Sequence, residues 1–207
     1  MPDLLSSDRL IVNQKAKLIE VTNQYLIRDA QGEELGYMQQ EGQSKFRKVL
    51  RFATDVDQFL THRLALYDKS GSKLLQIVRP AKIFKSKFSV EDGNGTKLGT
   101  IAQRNVFGKI SFDLLDTGGR ELGRIQAENW RAWDFSIVNS EGKEIGRIDK
   151  KFVGVLKAVF TPADNYIVDI DPGVTGELRL LAIAAAIAVD TALKQDARGL
   201  SVTDVFE

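Results

Sequence analysis

One short pattern, repeated five times, decides most of what this chain can fold into. An alternating apolar stretch runs into Asp or Asn. Two variable residues follow, then Gly, then two more before an apolar residue resumes the alternation. The first copy is Tyr25-Leu26-Ile27-Arg28-Asp29, Gly32 and Leu35-Gly36-Tyr37. The second runs from Leu64 through Asp68 and Gly71 to Leu74 and Ile77. The third uses Phe88, Val90, Asp92, Gly95, Leu98-Gly99 and Ile101; the fourth Phe112, Leu114, Asp116, Gly119, Leu122-Gly123 and Ile125. The fifth uses Phe135, Ile137, Asn139, Gly142, Ile145-Gly146 and Ile148. Period-two alternation makes a half-buried strand. Asp or Asn opens a type I turn through its side-chain acceptor, and Gly takes the left-handed position after it. Each copy therefore predicts a β-hairpin. The second Gly, inside the returning strand, marks a bulge or a close backbone approach.

The turn glycines Gly71, Gly95, Gly119 and Gly142 recur every 23 or 24 residues, whereas Gly32 to Gly71 spans 39. The longer step holds an insertion, Gln43 to Leu60. In it Phe46, Val49, Leu50, Ala53, Val56 and Leu60 recur at helical spacing and predict a short amphipathic helix. Arg9 to Val12 with Ala16 to Thr22 read as a first strand pair, and Lys150 to Phe160 with Tyr166 to Ile170 as a last one. The total is roughly twelve to fourteen strands. No linker rich in Pro, Gly or Ser divides them, so residues 1–193 read as a single domain and 194–207 as a flexible tail.

A different pattern begins after Pro172 and Gly173. Thr175 is placed to cap a helix and Glu177 to meet its dipole. The run Leu178 to Asp190 is apolar on every side, and the helix is expected over about 177–193. Such a helix is buried, in protein or in lipid. Its apolar stretch Leu180 to Val189 gives roughly 15 Å at about 1.5 Å per residue. A bilayer core needs about 30 Å. The predicted fold is mainly β: a closed, roughly twelve-stranded antiparallel barrel of hairpins, wide enough to hold one helix.

Composition removes several function classes. There is no cysteine and one histidine, His62. That leaves no disulfide, thiolate, thiol nucleophile or histidine-rich metal site. Basic and acidic residues number 29 and 28, which gives no global pull towards nucleic acid. Met1-Pro2-Asp3-Leu4-Leu5 lacks the marks of a signal peptide or a myristoylation site, so a cytoplasmic protein is expected.

The residues also match a known family. Gly146-Arg147-Ile148, then Gly154-Val155-Leu156-Lys157-Ala158-Val159-Phe160-Thr161, then Ala163-Asp164-Asn165-Tyr166, with the apolar helix following, resemble the phospholipid scramblase family. Arg79-Pro80 after the second hairpin fits the same pattern. That family stands within the tubby-like and plant LURP-one-related domains. The resemblance covers about Leu10 to Leu193. It implies a twelve-stranded barrel around a central helix, association with membrane phospholipids, and calcium-stimulated movement of lipids between leaflets. This chain lacks the Pro-rich extension and the Cys-rich stretch of eukaryotic scramblases. Pro162 stands where the family's calcium segment begins with Asp. Asp164, Asn165, Asp169 and Asp171 remain as calcium ligands; counted as an EF-hand loop, positions six and twelve are Ile167 and Gly173, neither of which suits. The plainer reading of these residues is a turn whose side chains cap backbone groups.

Catalytic templates fail. Gly93-Asn94-Gly95 starts like a dinucleotide loop, but the third Gly comes one residue late and inside a hairpin. Ser70 with Lys73, and Ser140 with Lys143, have Ser-x-x-Lys spacing but fall in turns. No enzyme is expected. Two basic-aromatic stretches suit an anionic headgroup layer: Lys45, Arg47, Lys48 and Arg51 beside Phe46, and Lys82, Lys85 and Lys87 beside Phe84 and Phe88. A solvated barrel face explains the same residues. Trp130 and Trp133 suit either an interfacial anchor or core packing. Three functions compete: a lipid-handling protein on anionic membranes, a soluble scaffold that binds a protein partner, and a small-ligand barrel if a cavity remains beside Leu181 and Ile187.

Overall fold

A computed structural model describes residues 3–14, 24–41, 62–80, 87–105, 109–129, 134–149 and 165–203, with backbone alone for 14, 24, 62, 129, 165 and 190–203. The described strands are β1 (Arg9–Gln14), β2 (Gln24–Arg28), β3 (Glu34–Glu41), β4 (His62–Asp68), β5 (Lys73–Arg79) and β6 (Lys87–Asp92). They continue with β7 (Lys97–Gln103), β8 (Ser111–Leu115), β9 (Glu121–Asn129), β10 (Asp134–Asn139), β11 (Glu144–Asp149) and β12 (Asn165–Ile170). One helix follows, α1 (Gly176–Thr203). The strands close into an antiparallel barrel in which each pairs with its sequence neighbours and β1 pairs with β12. The barrel and its central helix are as the repeat grammar and the resemblance led one to expect.

All five hairpins have the same turn. In the first, the Gly32 N–H donates to the Asp29 carbonyl and the Asp29 N–H to the Glu33 carbonyl. The Asp29 carboxylate accepts from the N–H groups of Gln31 and Glu33, both at 2.9 Å. Asp68, Asp92 and Asp116 repeat this arrangement, and Asn139 does so with an amide oxygen. The five turn glycines have φ between 82° and 88°, a region closed to most side chains. Pairing slips by one residue beside each turn: in the first hairpin Ile27 faces Gly36 and Arg28 faces Glu34, which leaves Leu35 as the extra residue of the returning strand, and this is how such a turn joins two strands.

The inner face is continuous apolar core. Val12, Ile27, Met38, Leu66, Val90, Ile101, Leu114, Ile125, Ile137 and Val168 pack with the helix residues Leu181 to Val189. Those nine helix residues are at most 1% exposed. Because five of them are alanine (Ala182, Ala184, Ala185, Ala186, Ala188), the strands can approach the helix from several sides. Gly176, with φ 62°, makes the bend into the helix, and Glu177 lies in its first turn. The helix continues past Leu193 to Thr203, through Ala192-Leu193-Lys194-Gln195, all good helix formers. The expected tail region is thus helical as far as Thr203.

Antiparallel alternation gives the barrel two distinct mouths. The hairpin turns, the Asp171 to Val174 turn and the start of α1 lie at one, which we call the turn mouth. The strand ends at Gln14, Glu41, Arg79, Gln103, Asn129 and Asp149 lie at the other, the far mouth. The predicted helix Gln43 to Leu60 and the predicted strand segments Ala16 to Thr22 and Lys150 to Phe160 lie outside the described residues.

Candidate functional site

The turn mouth is closed by a short N-terminal turn. Ser6 and Ser7 donate their N–H groups to the Asp3 carbonyl at 3.0 Å. Leu4 is 1% exposed, and its Cδ1 occupies the space where a Cβ on Gly36 would stand. The Arg179 guanidinium binds over this turn, donating to the carbonyls of Leu5, Ser6 and Ser7 at 2.7, 2.9 and 2.6 Å. A side chain this buried needs such acceptors, since an unmatched guanidinium is costly to desolvate.

The far mouth holds the strand ends that flank the candidate lipid-contact residues in sequence. β3 leaves the chain there at Glu41 and β4 returns from there at His62; β5 ends there at Arg79 and β6 starts there at Lys87. Lys45, Arg47, Lys48 and Arg51 fall between the first two of these ends, and Lys82 and Lys85 between the second two. Those six lie outside the described residues, as do Trp130 and Trp133. Lys87 is described and exposed. Arg63, Arg104 and Lys109 add further exposed cations near the same mouth; in sequence they form no basic run, because none has another lysine or arginine beside it. Lys109 pairs with Glu128 at 3.5 Å and Arg104 with Asp113 at 3.1 Å.

The best-developed polar cluster lies on the outer face of β3 to β5. The Tyr37 and Tyr67 rings stack with centroids 5.1 Å apart. The Tyr67 hydroxyl donates to the Glu41 carboxylate, which also accepts from the Lys73 ammonium at 2.9 Å. Burial pushes the Glu41 carboxyl up, but the Tyr67 and Lys73 hydrogen bonds outweigh it and hold the group below its ordinary value. Burial, then the bond to Glu41, pushes the Tyr67 phenol up. Both shifts move away from neutrality, so the pair keeps one charge state there and is unsuited to proton transfer.

Lys73 donates to Glu41 and Gln76, while the Ser70 hydroxyl donates to Asp68. The Ser-x-x-Lys spacing at this turn therefore brings no serine–lysine pair together. Gly93-Asn94-Gly95 is a hairpin turn, with Gly95 at φ 88°. Leu181 and Ile187 are packed into the core.

The calcium candidates are spread along one strand. Asn165 opens β12 at the far mouth and Asp171 follows its other end. At about 3.3 Å per residue their backbones are about 20 Å apart. Asp169 pairs with Arg9 through two bonds, 2.6 and 3.0 Å. Asp171 accepts from the Gly173 N–H at 2.8 Å. Asp164 lies outside the described residues. Among the described residues no group of three or more metal-ligating side chains converges, and no helix is long and apolar enough to cross a membrane.

Comparison with known proteins bears on the whole chain. A family model described as Scramblase matches residues 2–193. A phospholipid scramblase family protein of Schizosaccharomyces pombe is 25% identical over 208 residues, covering 90% of this chain and 54% of the relative. The chain thus spans about half the length of that curated relative. The X-ray structure of an Arabidopsis thaliana protein aligns over 90% of this chain and 93% of its own, with a TM-score of 0.53 and 14% identity; at that identity the likeness concerns the fold.

Proposed function

The chain belongs to the scramblase family, and on that premise we propose that it is a non-enzymatic phospholipid-binding protein that applies the far mouth of its barrel to an anionic membrane surface. The observation that carries this reading is the alternation of the barrel. Glu41, His62, Arg79 and Lys87 stand at the same mouth. The strand ends that flank the two basic-aromatic segments of the sequence therefore share one mouth. Each cation near an anionic surface contributes about 1 kcal/mol, so Lys45, Arg47, Lys48, Arg51, Lys82, Lys85 and Lys87 acting together suffice for peripheral binding. The closed barrel supports the lipid reading over strand-addition docking of a protein partner, because its described strands leave no unpaired edge. In this reading the protein is cytoplasmic and works at the inner face of the membrane, with phospholipid movement between leaflets as its activity.

Flotation with vesicles tests binding. Vesicles containing phosphatidylserine should carry the protein upwards, vesicles of phosphatidylcholine alone should not, and high salt should release it. Charge reversal at Lys45, Arg47, Lys48 and Arg51 should abolish flotation without changing thermal stability. Dithionite quenching of labelled lipids, with and without calcium, tests translocation. Absence of binding to every vesicle composition would leave the soluble scaffold as the better account.

A further inference from the structure

Among the described strands, eleven of the twelve pairings join strands that follow one another in the chain, and β1–β12 alone joins the two ends of the barrel. Sequence-adjacent hairpins form with small loop-closure entropy, whereas this last joint closes a loop of nearly the whole domain. It is the seam of the barrel, running from Arg9↔Asp169 to Asn13↔Asn165.

The turn-mouth end of this seam is unusually well fastened. Arg9 holds Asp169 across it. The Ile170 N–H donates to the Asp8 carbonyl at 2.8 Å. Arg179, 7% exposed, reaches from α1 to the three carbonyls of Leu5, Ser6 and Ser7, to the Asp8 carboxylate at 3.1 Å, and to the Val174 carbonyl at 3.2 Å. Residues 5–8 lead directly into β1. The helix therefore holds the segment that positions the closing strand.

We infer that Arg179 is a positioning residue that couples the seating of α1 to the closure of the β1–β12 seam. The coupling is reciprocal. Without the turn over residues 3–8, the buried guanidinium loses four of its five acceptors. Without Arg179, the carbonyls of Leu5, Ser6 and Ser7 lose a buried donor, and the approach to β1 is freed. Two groups that each need the other in place open together or stay closed together. The seam and the helix form one cooperative unit, separate from the wall of β3 and β4, which α1 touches far less than it touches β7 to β9. This inference rests on the fold and is independent of the lipid reading.

Native-state hydrogen exchange on the full chain tests it, comparing wild type, Arg179→Met and, as a surface control, Arg124→Met. In Arg179→Met, exchange at Leu181 to Val189, Leu10 to Val12 and Tyr166 to Val168 should accelerate together by about tenfold or more, while Met38 to Gln40 and Leu64 to Leu66 in β3 and β4 change by less than about twofold. Arg124→Met should leave the seam and helix unchanged. Equal acceleration in β3 and β4, acceleration of the helix without the seam, or no acceleration would each overturn the inference. Should Arg179→Met fail to fold, the wild type in rising urea decides: α1, β1 and β12 should merge into one opening below that of β3 and β4, and separate openings would refute the coupling.

Discussion

Gly99 in β7 lies against Leu181 in α1 so closely that a Cβ on the glycine would stand 3.0 Å from Leu181 Cδ1. The same atom would stand 2.3 Å from the Leu115 carbonyl oxygen. Gly123 is wedged likewise between the Val138 carbonyl and Leu178. Gly99 and Gly123 thus set how near the wall comes to its neighbouring strand and to the helix.

Substitution should separate this role from that of the turn glycines. Gly99→Ala forces backbone to move and should destabilise by about 1–3 kcal/mol or more, as overpacked cores do. Gly71→Ala meets nothing within 4 Å but is held at φ 86°, so it should lose only about 1–2 kcal/mol of backbone strain. Truncating Leu181 to Ala in the Gly99→Ala background should not restore stability, because the carbonyl of Leu115 remains in the way. Urea denaturation of the three variants checks the order.

What the sequence disclosed follows from how far apart the interacting residues are. The Asp-to-Gly turns are complete within five residues, so their side-chain acceptors and left-handed glycines could be read directly. The second glycine was legible as a close approach, but not its partner, since Leu115 and Leu181 belong to other elements. Burial of Leu181 to Val189 was legible because the run is apolar on every side. The role of Arg179 was not: its partner Ser7 is 172 residues away, and in sequence it reads only as the charge that bounds the apolar run. The two basic segments stood out in sequence as runs, whereas Arg63 and Lys109 come to the far mouth only through strand alternation.

Acid should weaken the hairpins at two identifiable points. Ser70's hydroxyl, then backbone N–H groups, hold the Asp68 carboxyl below its ordinary 3.8. The Arg120 N–H, with that of Gly118, does the same for Asp116. A carboxyl depressed by folding stabilises the fold above its unfolded value, and that contribution fades as pH falls through the lower folded value. Stability should therefore be level near neutrality and fall below about pH 4. Asn139 serves the same turn without titrating. Asp68→Asn with Asp116→Asn should keep the turns and flatten the acid limb of a Tm-against-pH curve. An unchanged limb would show that other carboxylates govern it.

The alanines of α1 predict an asymmetric tolerance. Ala185 is fully buried in the middle of the helix, with strands around it. Ala185→Leu adds three carbon atoms to a filled interior and should destabilise by about 1–3 kcal/mol or more, even though leucine is a good helix former. Ala185→Gly should also destabilise, by about 1 kcal/mol, through helix propensity. Stability lost in both directions, measured by thermal unfolding, indicates close packing; a gain for Ala185→Leu would reveal space beside the helix.

Calcium offers a last and sharper test, because β12 is extended. One calcium ion holds its oxygens within about 2.3–2.6 Å, and a strand that sets Asn165 about 20 Å from Asp171 cannot deliver both to it. Asp169 is also engaged by Arg9, and Asp171 by the turn at Gly173. Asp169→Ala and Asp171→Ala should each lower Tm, the first by freeing Arg9 at the seam and the second by loosening the entry to α1. Those losses should be the same with calcium as with a chelator, since a ligand stabilises a fold only through sites that bind it. A calcium-dependent rise in Tm present in the wild type and absent from both variants would mean that β12 unravels to bind the ion, and the extended strand would then be one of two states.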